Sequence, residues 1–324
     1  MKKYYAAPME GVTGFAWRKA HDQVFGGVDR YFTPFISPNQ NLEFQTKELR
    51  DISQGEDKLV PQILTGKAEH FIWAAGELKA RGFEEVNLNL GCPSRTVITK
   101  NKGSGLLRDI NYLDHFLYDI LDALPDMKIS LKTRVGLHDT ESWPALLEVF
   151  EKYPIYELIV HPRVSDLQYN GTADRKLFCS TLERESKRQV LSDAALTLVY
   201  NGDVRTPDDE AFSYGCSIMA GRGLVGDPAL FRKARALESG GQEAAAKAAA
   251  TSAELKEFHG ILLETYRTYM PGDVPIIHRM KEFWFYYINL FRVPADAEKV
   301  LLKAKNMSDF INASNRVLSC PLRS

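Results

Sequence analysis

Glu84-Glu85-Val86-Asn87-Leu88-Asn89-Leu90-Gly91-Cys92-Pro93-Ser94 is the stretch whose reading decides the fold. Val86, Leu88 and Leu90 alternate with Asn87 and Asn89, the period of a β-strand. The strand breaks at Gly-Cys-Pro, where Gly91 accepts backbone angles other residues avoid and Pro93 fixes its own φ and donates no hydrogen bond. Cys92 therefore stands at the C-terminal end of a strand on a constrained turn. A polar, basic, glycine-containing loop follows, Thr99-Lys100-Asn101-Lys102-Gly103-Ser104-Gly105. At this point Cys92 is either an inert packed thiol or a reactive one.

Working outward, similar short runs recur with helical patterns between them. Strands are expected near Lys3–Ala7, Asp29–Pro34, Leu59–Leu64, Glu84–Leu90, Met127–Thr133, Tyr156–His161, Leu196–Asn201 and Ser217–Ala220. Helices are expected over Gly14–Phe25, Lys67–Ala80, Tyr112–Leu124, Glu141–Tyr153, Arg175–Glu185 and Thr206–Ser213, the last with Thr206 as N-cap and Pro207 opening it. The connection Phe35–Lys58 and the run Phe178–Ser192 read as irregular. Alternating strands and helices imply parallel pairing. Eight units match an α/β fold of the (β/α)8 TIM-barrel type better than an open doubly wound sheet. Gly240-Gly241 and the alanine-rich run to Ala250 then break the rhythm, and patterns over Ala253–Tyr269, Ile276–Phe291, Ala295–Lys305 and Ser308–Leu318 are helical. The expected organisation is a barrel over 1–240 and an all-helical domain over 241–324.

Composition narrows the classes. Net charge is −1, so no global field announces a nucleic-acid partner. The tail 251–324 holds ten Lys and Arg against eight acids, a local excess of +2. The four cysteines lie far apart with no CxxC pair, which argues against a disulfide framework and a zinc site, and no metal is expected. No apolar run is long enough for a signal peptide or a membrane span, so a cytoplasmic protein without a membrane partner is expected. Oligomeric state stays open, with a monomer as the expectation.

In such barrels the C-terminal strand ends carry the chemistry. Here they present Ala7-Pro8-Met9, Gln62, Asn87 with Asn89 and Cys92, Lys132 with Arg134, His161-Pro162-Arg163, Asn201-Gly202-Asp203 and Gly221-Arg222-Gly223. Gly221 to Gly226 matches GxGxxG, but no βαβ unit follows, so a Rossmann reading fails. Asn201-Gly202 and Gly221-Arg222, on the loops after the last two strands, suit a phosphate. With amide and cationic groups nearby, that suggests a phosphorylated planar cofactor. Gln62 could bond a ring edge in both directions, and Lys132 could stabilise negative charge on a reduced flavin. Cysteine, with a reference pKa near ~8.5, suits Cys92 to the role of a general acid. A Schiff-base lysine at Lys132, as in an aldolase-type barrel, remains an alternative.

The set as a whole resembles the bacterial, FMN-dependent tRNA-dihydrouridine synthase family. Asn87-Leu-Asn-Leu-Gly-Cys-Pro-Ser94 with Lys102-Gly-Ser-Gly105 carries most of the likeness, supported by Ala7-Pro8-Met9-Glu10-Gly11-Val12-Thr13, Gln62, Lys132-Thr-Arg134-Val-Gly136, His161-Pro-Arg163, Asn201-Gly-Asp203 and Gly221-Arg-Gly223. The resemblance implies FMN as cofactor, NADPH as electron donor and tRNA as partner, with hydride passing to C6 of a uridine and a proton from Cys92 to C5. It implies that Pro8, Met9, Gln62, Lys132, His161, Asn201, Asp203, Gly221 and Arg222 line the flavin. Asn89 and Arg134 would hold flavin or uracil, Lys100 and Lys102 would flank the loop over the substrate, and Arg279 with Lys281 would face RNA. Val164 stands where the family usually has threonine, which removes one hydroxyl. Trp284 reads equally as a base-stacking ring or a core residue. A different FMN barrel acting on a small enone or pyrimidine, and a non-redox tRNA-binding protein, are the competing functions.

Overall fold

A proline splits the third expected strand. The computed structural model describes residues 2–52, 57–191 and 195–323. In it the run around Pro61 forms β3 (Leu59–Val60) and β4 (Gln62–Ile63), preceded by β1 (Tyr4–Ala6) and β2 (Arg30–Phe32). After them come β5 (Glu85–Leu90), β6 (Lys128–Arg134), β7 (Leu158–His161), β8 (Leu198–Tyr200) and β9 (Ser217–Ala220). Among the described residues nine strands thus stand where eight are expected. The sheet order is β3-β2-β1-β9-β8-β7-β6-β5-β4. β3 and β4 lie at opposite edges of that order yet are one residue apart in the chain, so the parallel sheet curls almost into a closed barrel. Around the proline, Thr33 and Ile36 donate their N–H groups to the carbonyls of Val60 (3.1 Å) and Gln62 (2.8 Å), while Asn87 donates to the Pro61 carbonyl (2.9 Å). Pro61 has no N–H to lose at the seam.

β5 is buried on both faces despite its alternating polarity. Alternation of this kind normally marks a wet face. Here the polar side chains Glu85, Asn87 and Asn89 meet polar partners on β4 and β6, in a register that sets Gln62 beside Asn87, Asn87 beside Ser130 and Asn89 beside Lys132.

The helices are α1 (Phe15–Val24), α2 (Thr46–Ile52), α3 (Ala68–Ala80), α4 (Arg95–Ile98), α5 (Ile110–Ala123), α6 (Trp143–Phe150), α7 (Arg175–Leu191), α8 (Arg222–Gly226), α9 (Leu230–Lys247), α10 (Ser252–Tyr269), α11 (Asp273–Tyr287), α12 (Ala297–Lys303) and α13 (Met307–Leu318). α5 is representative of the barrel helices. Asp109 caps it by accepting from the Tyr112 N–H, and Leu113, Phe116, Leu117 and Ile120 bury one stripe. Three expectations change. The connection 35–58 contains α2, although residues 53–56 lie outside the described part. Thr206–Ser213 is a turn followed by a 3-10 segment, Glu210–Ser213, not an α-helix opened by Pro207. Within Phe178–Ser192, residues to Leu191 are helical in α7, and Ser192 lies outside the described residues.

Two compact units result. One comprises Met1–Tyr5, Phe32–Asp203 and Ser213–Met219, and the other Ala6–Tyr31, Val204–Phe212 and Ala220–Ser324. The second unit holds α1 and the tail helices. Its core is aromatic: Phe258 of α10 meets Trp17, Phe25 and Phe283 edge to face, with centroids 5.4 to 6.4 Å apart. α9 is interrupted at Gly241, whose φ of 70° is the left-handed region that glycine enters without strain. α10 begins with a capping box of Thr251 and Glu254. Among the described residues no helix is long and apolar enough to cross a membrane.

Candidate active site

The turn after β5 is held from inside the barrel. Asn89 Oδ1 accepts the N–H groups of Gly91 (3.0 Å) and Cys92 (2.9 Å), and the Cys92 carbonyl accepts the Ser104 hydroxyl (2.8 Å) and N–H (3.2 Å). The loop of α4 and the following 3-10 segment packs onto the cysteine. At Gly103, φ is 57° and a Cβ would stand 2.9 Å from the Cys92 Cβ, so only glycine fits. Ser104 reaches further, to the Ser165 hydroxyl at 2.6 Å, tying the turn to the loop after β7. Lys102 does not hang free. It donates to Ser37 Oγ (3.1 Å), and burial, with Lys100 adding repulsion, lowers its pKa. Lys100 on the same loop is exposed.

Lys132 and Arg134 point from β6 to the same end but differ in partners. Arg134 is buried and donates to the carbonyls of Gly91 (3.0 Å) and Val164 (3.0 Å), with Tyr169 5.7 Å away in a cation–π contact. It clamps the cysteine turn to the loop after β7. The contact uses the Val164 carbonyl, so the valine side chain leaves it intact. Lys132 makes no hydrogen bond or ion pair among the described residues. Part of its surface is exposed, yet surrounding protein crowds the ammonium, and this desolvation, then the Arg134 charge, lowers its pKa to about 7, with Cys92 opposing the shift.

Arg163 is the second clamp. Its guanidinium pairs with both carboxylate oxygens of Asp203 (2.6 and 3.3 Å) and donates to the carbonyls of Asn170 (3.1 Å) and Gly171 (2.5 Å). It also lies 3.1 Å from His161 Nε2. A guanidinium only donates, so Nε2 accepts and the imidazole proton sits on Nδ1. Asp203, at φ 49°, takes the Ala173 N–H as well (3.1 Å). Asn201 donates Nδ2 to the Met219 carbonyl (2.9 Å), which leaves Oδ1 as its accepting face. Gly202 is sterically required, since a Cβ there would fall 2.8 Å from that of Ala173.

In the second unit, the loop after β1 folds on Thr13, whose hydroxyl accepts the Met9 N–H (2.7 Å) and donates to the Ala7 carbonyl (3.1 Å). Gly221 leaves its backbone bare beside Met9, where a Cβ would meet Sδ at 3.2 Å. Gly223 is a glycine for another reason: a Cβ would lie 2.0 Å from the Val204 carbonyl. Among the described residues no three His, Cys, Asp or Glu side chains come together to hold a metal ion.

The family model for dihydrouridine synthase (Dus) matches residues 5–290 of this chain. The chain belongs to the dihydrouridine synthase family. A probable tRNA-dihydrouridine synthase of Staphylococcus aureus is 23% identical over 316 residues, covering 94% of this chain and 90% of the relative. A relative of the same description from Staphylococcus epidermidis is 28% identical over 239 residues, 71% of each chain. The tRNA-dihydrouridine(16) synthase of Ralstonia nicotianae is 27% identical over 248 residues, covering 72% of this chain and 73% of the relative.

For a Dus chain, the strand-end set expected from sequence divides in two. Asn89, Cys92, Lys132, Arg134, His161, Asn201 and Asp203 collect in one unit with Gln62 beneath them. Gln62 is fully enclosed, with both ends of its amide taken by Asn87 and Asn89. Pro8, Met9, Gly221 and Arg222 belong to the other unit. There, too, Arg279 donates to the Gly11 carbonyl (2.7 Å) and Glu282 (2.6 Å), and Lys281 to the Ala304 carbonyl. Lys281 shares a cavity of about 590 Å³ with His278, Lys303 and Lys305. Trp284 is core, packed on His259 and Tyr287, whereas Phe285 is the exposed aromatic of α11. Ser104, Ser130 and Glu85 carry structural weight at the site that sequence reading missed. For the last two the signal is present, since Glu85, Asn87 and Asn89 on one strand and Ser130, Lys132 and Arg134 on the next share a period of two.

Proposed function

We propose that this chain reduces uridines in tRNA to 5,6-dihydrouridine, with FMN as resident cofactor and NADPH as electron donor. The observation that carries the reading is the uncompensated cation at the strand ends. Lys132 is crowded, lies near Arg134 and has no carboxylate partner, so it favours an electron-rich neighbour. The donor set beside it fits a phosphorylated flavin on the same grounds: a neutral His161 with its proton on Nδ1 and the accepting Oδ1 of Asn201.

FMN, when bound, supplies the hydride that goes to C6 of the uracil. Lys132 stabilises the negative charge on the ring, with His161 and Asn201 as further ring contacts. Pro8, Met9, Gly221 and Arg222 enter this proposal as flavin contacts on the family resemblance alone. Gln62 and Asp203 serve it as braces, the first through Asn89 and the second through Arg163. Cys92 protonates C5 of the uracil, and Asn89 and Arg134 hold the turn from which it does so. Lys100 and Lys102 shape the covering loop, Lys102 as its anchor on Ser37. The target base leaves the tRNA stack to enter. Residues 241–324 act as the tRNA-binding domain, with Arg279, Lys281 and the neighbouring His278, Lys303 and Lys305 contacting phosphates. The protein then works in the cytoplasm, where tRNA is modified.

Cys92→Ala tests the chemistry. The variant should keep its flavin and lose at least about a hundredfold in dihydrouridine formation, a loss within the range general acids contribute, read by mass spectrometry of tRNA nucleosides. Undiminished activity would remove Cys92 from the mechanism. Mapping dihydrouridine in tRNA from cells lacking the protein identifies the position. Among the relatives named above, only the name of the Ralstonia nicotianae protein specifies one, position 16.

A further inference from the structure

Five side chains inside the barrel form one continuous hydrogen-bonded chain whose direction is set at both ends. At the top, Asn89 accepts from the N–H groups of Gly91 and Cys92. Backbone N–H groups only donate, so the atom facing them is Oδ1 and Nδ2 must point down into the barrel. There it donates to Gln62 Oε1 (2.7 Å). Gln62 must then present Nε2 to Asn87 Oδ1 (2.8 Å), and Asn87 must present Nδ2 to Ser130 Oγ (3.0 Å). Ser130, having accepted, donates to Glu85 Oε1 (2.9 Å). Each link leaves one choice for the next. At the bottom stands a buried carboxylate, whose oxygen accepts and so demands the same direction.

We propose that Glu85, acting through Ser130, Asn87 and Gln62, is a positioning residue that locks the amide of Asn89 and with it the turn carrying Cys92. Glu85 opens β5, five residues before its end. Its part is to be an acceptor at the foot of a chain of groups that can each run either way. A glutamine at 85 can meet Ser130 with either Oε1 or Nε2, so the foot of the chain no longer excludes the reversed direction. Reversal would bring Asn89 Nδ2 against the two backbone N–H groups, donor against donor, and the turn would lose both bonds. The catalytic consequence rests on reading Cys92 as the proton donor. The consequence for the turn does not.

Hydrogen exchange read by mass spectrometry on the full chain separates the two. In Glu85→Gln the Gly91 and Cys92 amides should exchange at least fivefold faster, while the amides of β6 stay within twofold of wild type. Ser130→Ala, which cuts the chain at another link, should do the same and serves if the first variant does not fold. In an Asn89→Ala background, adding Glu85→Gln should change nothing further at the turn, because the link it acts through is gone. For tRNA reduction, Glu85→Gln should lower kcat at least tenfold with KM for tRNA within twofold and flavin content retained. Unaltered exchange at 91–92 in both variants, or effects that add in the double variant, would overturn the proposal. Failure of the wild-type protein to make dihydrouridine would sink the functional reading alone, since the exchange result stands without it.

Discussion

Replacing Lys132 with methionine should make the flavin-free protein more stable, and the gain should shrink as pH rises. The ammonium titrates at about 7 instead of its ordinary 10.5, chiefly because packed protein displaces water around it and secondarily because of Arg134. At ~1.36 kcal/mol per unit, the charged form costs at most about 5 kcal/mol. Partial exposure of the side chain lets water screen it, so about 2–3 kcal/mol is the expected figure. The sign follows from proton counts. Below about 7 both folded and unfolded chains hold the proton, and the cost is present in full. Between about 7 and 10.5 the unfolded chain holds more protons than the folded one, so wild-type stability rises with pH. Methionine keeps the length and removes the charge. Urea unfolding of both proteins at pH 6, 7, 8 and 9, with matched m-values, would give the difference directly. A gain that does not vary with pH, or a methionine variant less stable at pH 6, would refute the assignment of Lys132 as an uncompensated cation. The same variant should bind FMN more weakly, because the charge that destabilises the fold is the one proposed to hold the ring.

Three further outcomes follow from the geometry. Asp203→Ala leaves the buried Arg163 guanidinium without its carboxylate and should cost about 3–5 kcal/mol, whereas Asp203→Asn, which tolerates the left-handed backbone at 203 and keeps an acceptor, should cost about half as much; thermal unfolding ranks the two, and equal losses would show that the charge is unimportant. Gly223→Ala forces a Cβ toward the Val204 carbonyl and should cost about 3 kcal/mol, while Gly260→Ala in α10, with nothing within 4 Å of the new methyl, should add about 0.5–1 kcal/mol, so a urea series that inverts this order contradicts the packing. Glu254 is held at about 2, first by its hydrogen bond to Arg232, so its contribution is present in full above pH 4.5 and lost as pH falls through 2; Glu254→Gln should lower stability by about 1–2 kcal/mol at pH 7 and by only about a quarter of that at pH 2.5, as measured by urea unfolding.

The barrel was legible in sequence because its strands announce themselves by local composition and by the turns that end them. What was not legible depended on distant partners. The helical run from Arg175 lacks an apolar stripe because its inner face is partly polar: Thr181 accepts the Trp143 indole N–H (3.0 Å), and Glu185 accepts the Leu196 N–H (2.9 Å). Arg184 and Arg188 then reach Glu151 at the end of α6. Periodicity registered this helix as far as Glu185 but not its last turns to Leu191, whose partners lie 33 to 37 residues back or 11 ahead. Thr206-Pro207 failed the other way. The start signal is genuine, but Asp209 turns the chain by accepting the Ala211 N–H (2.9 Å), and only a 3-10 segment follows. At the site, residue types gave the polar strand ends but not the partners of each group.

Those partners explain why so many polar groups gather at one end of the sheet while so few remain available for chemistry. Arg134 is occupied by two carbonyls, Arg163 by Asp203 and the 170–171 backbone, Gln62 by two asparagines, and Lys102 by Ser37. Each holds one loop to another, and a loop so held can place Cys92 without a rigid helix beneath it. Lys132 differs from its neighbours: among the described residues it makes no hydrogen bond or ion pair, and desolvation, then the Arg134 charge, lowers its pKa to about 7. A cation kept unpaired among satisfied ones destabilises the fold, and that cost is recovered only when a negative group binds beside it.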